Sequence, residues 1–230
     1  MAALNCVFRT ERDKAAYLLI IILVHNLIYP FSTGSGIEPI IFYAVFSSMF
    51  IIAVWMLNRN RREHVVIAVS GGAVFVCGVI NAYVPGTSAL PLLYIAAIVY
   101  HLTMISTLVR YIFVAKRVVI EVVLAAASLY FIIGSLFTAT FGFIEWSSPG
   151  SFVASTGAAI SWQQLLYYSY VTLTTVGYGD IIPVRYYAQS AAVFEAVTGV
   201  LYTVILLSRL VSVYESERQT PPGAPGGKGD

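Results

Sequence analysis

Residues 172–180 read Thr-Leu-Thr-Thr-Val-Gly-Tyr-Gly-Asp, and this stretch decides how the rest of the chain is read. Gly177 and Gly179 stand two positions apart, and glycine takes φ > 0 at no steric cost. A backbone that alternates ordinary and left-handed residues turns successive carbonyls to the same side. The bland alternative is a glycine-rich turn between two elements. The surroundings argue against it, because the chain on either side is strongly apolar.

Of 230 residues, 59% are hydrophobic and only 10% are charged, against about 25% charged in soluble domains. Uncharged blocks cover 15–30, 39–58, 64–109, 122–144 and, with Glu195 as its only charge, 186–208. Pro85-Gly86-Thr87-Ser88 splits the third block in two. Each resulting block supplies the roughly 17–25 residues of a membrane-spanning helix. Trp162–Leu173 is too short to cross and runs straight into the glycine stretch, so it reads as a re-entrant helix. The expected fold is an all-α membrane protein with six transmembrane helices and one re-entrant helix.

The blocks divide the chain. Residues 1–14 form an N-terminus, and 15–114 a four-helix peripheral domain with helices at 15–30, 38–58, 64–84 and 89–114. Residues 118–217 form a domain of a fifth helix, the re-entrant helix 161–173, the stretch 174–180 and a sixth helix. The Pro/Gly-rich tail 218–230 is expected to be disordered, with no further domain after the sixth helix. Ser161-Trp162-Gln163-Gln164 fits a capping box, with Ile160 and Leu165 at the staple positions. With the N-terminus inside, 12 of the 13 Lys and Arg residues are cytosolic and only Arg185 is external, as the positive-inside rule favours. The net charge of +2 therefore reflects topology rather than nucleic-acid binding. The first helix reads as a signal anchor, since no small-residue cleavage site follows it.

Residues 174–180, Thr-Thr-Val-Gly-Tyr-Gly-Asp, resemble the selectivity filter of potassium channels, and 118–217 resembles that family's pore module. The resemblance implies K⁺ ions, and no other cofactor, held in a filter of Thr175, Val176, Gly177, Tyr178 and Gly179. Carbonyls there replace the ion's water shell, with K⁺ coordinated at Thr175 to Tyr178. One chain supplies one strand, so a homotetramer embedded in lipid is implied. Tyr167 and Tyr168 stand where many members carry Trp, and with Asp180 they would brace the filter. Gly199, nineteen residues after Asp180, would be a gating hinge or a site of close helix packing. Val200, Thr203, Leu207, Ser208 and Val211 would line the pore. The whole looks like a compact prokaryotic six-helix potassium channel of the plasma membrane, with both termini cytosolic. It leaves a regulatory ligand or subunit open.

Glu195 is an ionisable group within a spanning helix, a functional hypothesis by default. It is either a support that modulates the filter or a structural, hydrogen-bonded carboxyl. His25 and His101 read as neutral and internally bonded. The chain carries no clustered nucleophile, acid–base pair or metal motif in its spans, and no inverted repeat of the transporter kind, so neither an enzyme nor a transporter is expected.

A voltage sensor needs several positives at three-residue spacing, since each charge couples about 2.3 kcal/mol per 100 mV. The fourth helix holds Arg110 near its cytosolic end, while 98, 101, 104 and 107 are Ile, His, Met and Thr. Open probability should therefore change little with membrane potential, and Arg110→Gln should leave it nearly unchanged. A steep conductance–voltage curve that loses slope in Arg110→Gln would contradict this.

Overall fold

The computed structural model describes residues 11–28, 36–46, 61–84, 88–114 and 120–219. The helices are α1 (Glu11–Ile28), α2 (38–46), α3 (Arg61–Tyr83), α4 (Ala89–Val114), α5 (Ile120–Ser147), α6 (Trp162–Leu173) and α7 (Tyr186–Gln219). Two short strands, β1 (Phe152–Ala154) and β2 (Ile181–Pro183), flank α6 in sequence.

Among the described residues, four segments are long and apolar enough to cross a membrane: Val65–Tyr83, Ala89–Val114, Ile120–Ser147 and Tyr186–Leu206. They correspond to the third to sixth expected spans. α1 is eighteen residues long and opens on Glu11, Arg12, Asp13 and Lys14, so its apolar part alone matches the first expected span. The second expected span lies outside the described residues beyond 46. So do the N-terminus to residue 10, the joint at 115–119 and the tail from 220.

Some boundaries differ from those expected. α1 begins at Glu11 rather than 15, and α3 at Arg61 rather than 64. Charge ends the apolar block but not the helix, because the backbone bonds of a first turn form equally well in the polar interface. α7 continues to Gln219, past the expected end at 217.

α5 is the hub: α1, α4, α6 and α7 all pack against it. It buries Ala125, Ala126, Leu129, Ile132, Phe137 and Phe141. Lipid tails are as apolar as leucine, so helices in a membrane associate through close packing and hydrogen bonds. Both are present here. The Tyr170 hydroxyl of α6 donates to the Phe131 carbonyl at 3.0 Å, and Tyr202 of α7 donates to the Ala126 carbonyl. A Cβ at Gly142 would collide with the Tyr94 ring of α4, so the missing side chain is what lets α4 lie close.

The C-terminal end of α5 is tied down by its own acid. The Glu145 carboxylate accepts from the Gly150 and Phe152 amides at 2.8 and 3.0 Å, and Gly150 turns the chain with φ 77°. β1 then pairs antiparallel with β2 in the register Phe152↔Pro183, Val153↔Ile182, Ala154↔Ile181. The segment 145–160 reads in sequence as an extracellular turret alone. Three-residue strands carry too little alternation to be legible.

Gly142→Val should lower stability by about 1–3 kcal/mol through overpacking, read as a lower thermal midpoint. In a Tyr94→Ala background the same substitution should cost much less. Equal losses in both backgrounds would show that the Tyr94 contact is not the cause.

Candidate functional site

The site is built on α6. Ser161 caps it: the Ser161 amide donates to Gln164 Oε1 at 2.9 Å, and the Gln164 amide donates to Ser161 Oγ at 3.4 Å. Both halves of the expected capping box are thus made. At the other end, the chain folds back on the last turn of the helix. Thr174 N–H donates to Tyr170 O at 3.0 Å and Thr175 N–H to Thr172 O at 3.0 Å. Val176 and Gly177 N–H both point at Val171 O, at 3.0 and 3.3 Å.

These four amides satisfy the carbonyls that a helix end leaves open. They also fix which way residues 174–177 face. Among the described residues, no carbonyl of Thr174 to Gly179 accepts a hydrogen bond. Positive φ recurs at every second residue: Thr175 at 61°, Gly177 at 58° and Gly179 at 77°. The two glycines are expected from the sequence; Thr175 is not. A left-handed non-glycine residue costs about 1–2 kcal/mol, and here the Thr175 amide bond to Thr172 helps to hold it. The arrangement is a ladder of unpaired carbonyls at the C-terminal, partially negative end of α6. α6 has no basic residue in its last turn, so its end is available to stabilise a cation.

The expected bracing residues divide. Tyr167 lies beside the Asp180 side chain and stacks on Tyr178, with ring planes 5° apart and centroids 6.5 Å apart. Tyr168 turns the other way. Its ring packs against Phe141 and Phe152. Within one chain it anchors α6 to the core. Asp180 also accepts through its backbone carbonyl from Ser155 N–H at 2.8 Å, so the sheet grips the residue that follows the carbonyl ladder.

Glu195 is fully buried. Ser169 of α6 lies between it and α5: Ser169 Oγ is 2.5 Å from Glu195 Oε1 and 2.7 Å from the Gly134 carbonyl. A serine hydroxyl has one hydrogen, and the Gly134 carbonyl can only accept. Both contacts are hydrogen bonds when Glu195 carries its proton and donates to Ser169, which then donates to Gly134. The second oxygen, Oε2, is buried with no partner, which suits a neutral carboxyl far better than a charged one. Of the two readings of Glu195 in the sequence, this contact gives the structural one a partner: it joins α7 to α5 through α6. The signal for that partner is a lone serine on an apolar helix, too common to single out.

Gly199 lies against the end of α6. A Cβ there would run into the Leu173 carbonyl oxygen, and the same carbonyl accepts from the Tyr130 hydroxyl at 3.2 Å. The glycine therefore provides close packing, and α7 is helical on both sides of it. Val200, Thr203 and Ser208 are exposed on the isolated chain. The side chains of Leu207 and Val211 fall outside the described residues.

A family model described as an ion channel matches residues 92–216, more than half of the chain and all of the segment from α5 to the described end of the site. No curated protein and no solved structure matches.

Glu195→Gln keeps a donor toward Ser169 and should hold stability within about 1 kcal/mol, whereas Ser169→Ala strands a buried carboxyl and should cost about 1–3 kcal/mol. A vibrational band of a protonated carboxyl at neutral pH should vanish in Glu195→Gln. Its absence from the unmodified protein would refute the neutral assignment.

Proposed function

The chain belongs to this family of ion channels, and from that premise we propose that it is a potassium-selective channel of the membrane. Four copies would each contribute one carbonyl ladder, conducting K⁺ passively along their common axis. The observation that carries this reading is the left-handed backbone at 175, 177 and 179, with no hydrogen bond to the carbonyls of 174–179. Buried or membrane-embedded carbonyls are normally paired. Unpaired ones in series suit a cation that exchanges its hydration shell for them. One chain gives only one side of such a cage, which is why the reading requires a homotetramer. The exposed apolar residues Val193, Val197, Val200, Leu201 and Val204 of α7 leave that helix with a face for a neighbouring copy or the conduction path.

In this reading the peripheral helices complete a six-helix subunit with both termini cytosolic. Tyr167 and Asp180 brace the filter. Val200, Thr203, Leu207, Ser208 and Val211 line the inner cavity. Gly199 primarily seats α7 beneath the pore helix, and its flexibility as a hinge is secondary to that contact. Voltage dependence is weak.

In proteoliposomes the protein should pass K⁺ at least about tenfold better than Na⁺, a difference of about 1.4 kcal/mol, and Ba²⁺ should block it. Gly177→Ala should abolish the current, because a Cβ opposes φ near 58°. A reversal potential that follows the Na⁺ gradient would overturn the selectivity. A flux that requires a coupling ion would point to a transporter instead.

A further inference from the structure

We propose that the cavity between the peripheral helices and the pore helix binds a small neutral aromatic molecule carrying one hydroxyl or N–H donor. The cavity measures about 100 Å³. Its walls come from both parts of the chain: Phe42 and Phe46 of α2, Ala97 and His101 of α4, Ser135 and Thr138 of α5, and Trp162 of α6. An occupant would thus touch the pore helix and the peripheral helices at once.

The chemistry of the walls selects the ligand class. Two aromatic rings already flank His25, and a third packs on one of them. The His25 ring centroid is 4.8 Å from both Phe42 and Phe46, and Phe42 is 5.5 Å from Trp162. A flat ring extends such a cluster with favourable offset or edge contacts. Among the described residues no Asp, Glu, Lys or Arg lines the cavity, so a charged ligand would be buried without a counter-ion.

The polar hooks are two buried imidazoles, and the contacts of one of them fix it as an acceptor. His101 and His25 are each 5% exposed. His101 Nδ1 is 2.6 Å from the Ala97 carbonyl. A carbonyl only accepts, so Nδ1 carries the hydrogen and Nε2 of the neutral ring keeps its lone pair. His25 Nδ1 is buried with no hydrogen-bond partner. A ligand hydroxyl or N–H can satisfy one of these; an acyl chain cannot.

Size narrows the choice further. An apolar cavity of about 150 Å³ is known to hold benzene, so a single ring is the upper limit here. A second cavity of about 10 Å³ shares His25, His101 and Ser135 with the first. It gives a ring substituent room beside the histidines. Phenol-like molecules fit this combination, and fused or charged aromatics do not.

The test uses the full chain in lipid nanodiscs with 4-fluorophenol and fluorobenzene, followed by fluorine NMR. The expected result is a saturable bound resonance for 4-fluorophenol, distinct from probe dissolved in lipid. Its affinity should exceed that of fluorobenzene by up to about tenfold, the worth of one buried hydrogen bond. His101→Phe should remove that preference, and Ala97→Phe should fill the cavity and remove the bound signal. Ala139→Phe fills the same cavity from α5, should Ala97→Phe fail to fold. Purely linear partitioning in the unmodified protein would overturn the proposal. So would a bound signal that survives both filling substitutions, or equal affinity for the two probes. The readout needs no ion flux, so it succeeds or fails independently of the proposed selectivity.

Discussion

The structure depends on one unusual constraint: six consecutive residues, Thr174 to Gly179, hold their carbonyls free of any internal partner. Such groups are costly away from water, and nothing in the stretch itself can keep them apart. What does so is the amide side. The N–H groups of Thr174 to Gly177 are spent on the last turn of α6, two of them on the single carbonyl of Val171. A continuing helix would pair the Thr175, Val176 and Gly177 amides with the carbonyls of 171, 172 and 173; they bond Thr172 and Val171 instead, and with positive φ at 175, 177 and 179 this shifted register takes the stretch out of the helix. Its conformation is therefore only as firm as the position of α6.

Much of the surrounding structure serves that position. The capping box fixes the start of α6. Tyr170 reaches into α5 through Gly134, where a Cβ would lie 2.6 Å from the Tyr170 ring, and bonds the Phe131 carbonyl. Ser169 joins α5 and α7 through Gly134 and Glu195. Tyr130 and Gly199 meet at the Leu173 carbonyl from two different helices. Beyond the ladder, β2 pairs with β1, and β1 is held by Glu145 at the end of α5. The stretch is thus fastened at both ends to the same helix, α5, by independent routes. In a bilayer, where burial of apolar surface does not draw helices together, these polar ties and small-residue contacts carry the specificity.

This explains which parts were legible from sequence. The capping box of α6 and the glycines at 177 and 179 follow local rules, in which the residue type itself dictates the backbone, and they were read correctly. The apolar blocks likewise reveal α3, α4, α5 and α7 by length and charge alone. Relations between distant positions were not legible. Tyr167 and Tyr168 are chemically the same, yet adjacent helix positions point about 100° apart, so one reaches Asp180 and the other the Phe141–Phe152 cluster. The left-handed Thr175 has no local signature, because it continues a period set by the glycines after it. Glu145 reads as a charge at the end of a span, and only the turn at Gly150 brings two amides to its carboxylate.

The peripheral helices meet the pore at two levels, and neither depends on a row of charges. At one end, Phe42 touches Trp162 at the start of α6, and Tyr94 fills the notch at Gly142. At the other end, Arg209 of α7 donates to the Phe113 carbonyl at 3.2 Å and lies 6.0 Å over the Phe113 ring. That places a cation at the negative end of α4. α4 is therefore packed on α5 and tied to α7 near its C-terminal end. A helix with Arg110 as its single interior charge has little for a membrane field to act on, yet any displacement of it bears directly on α7. The connection is mechanical: a carbonyl contact and a ring face join the end of α4 to α7.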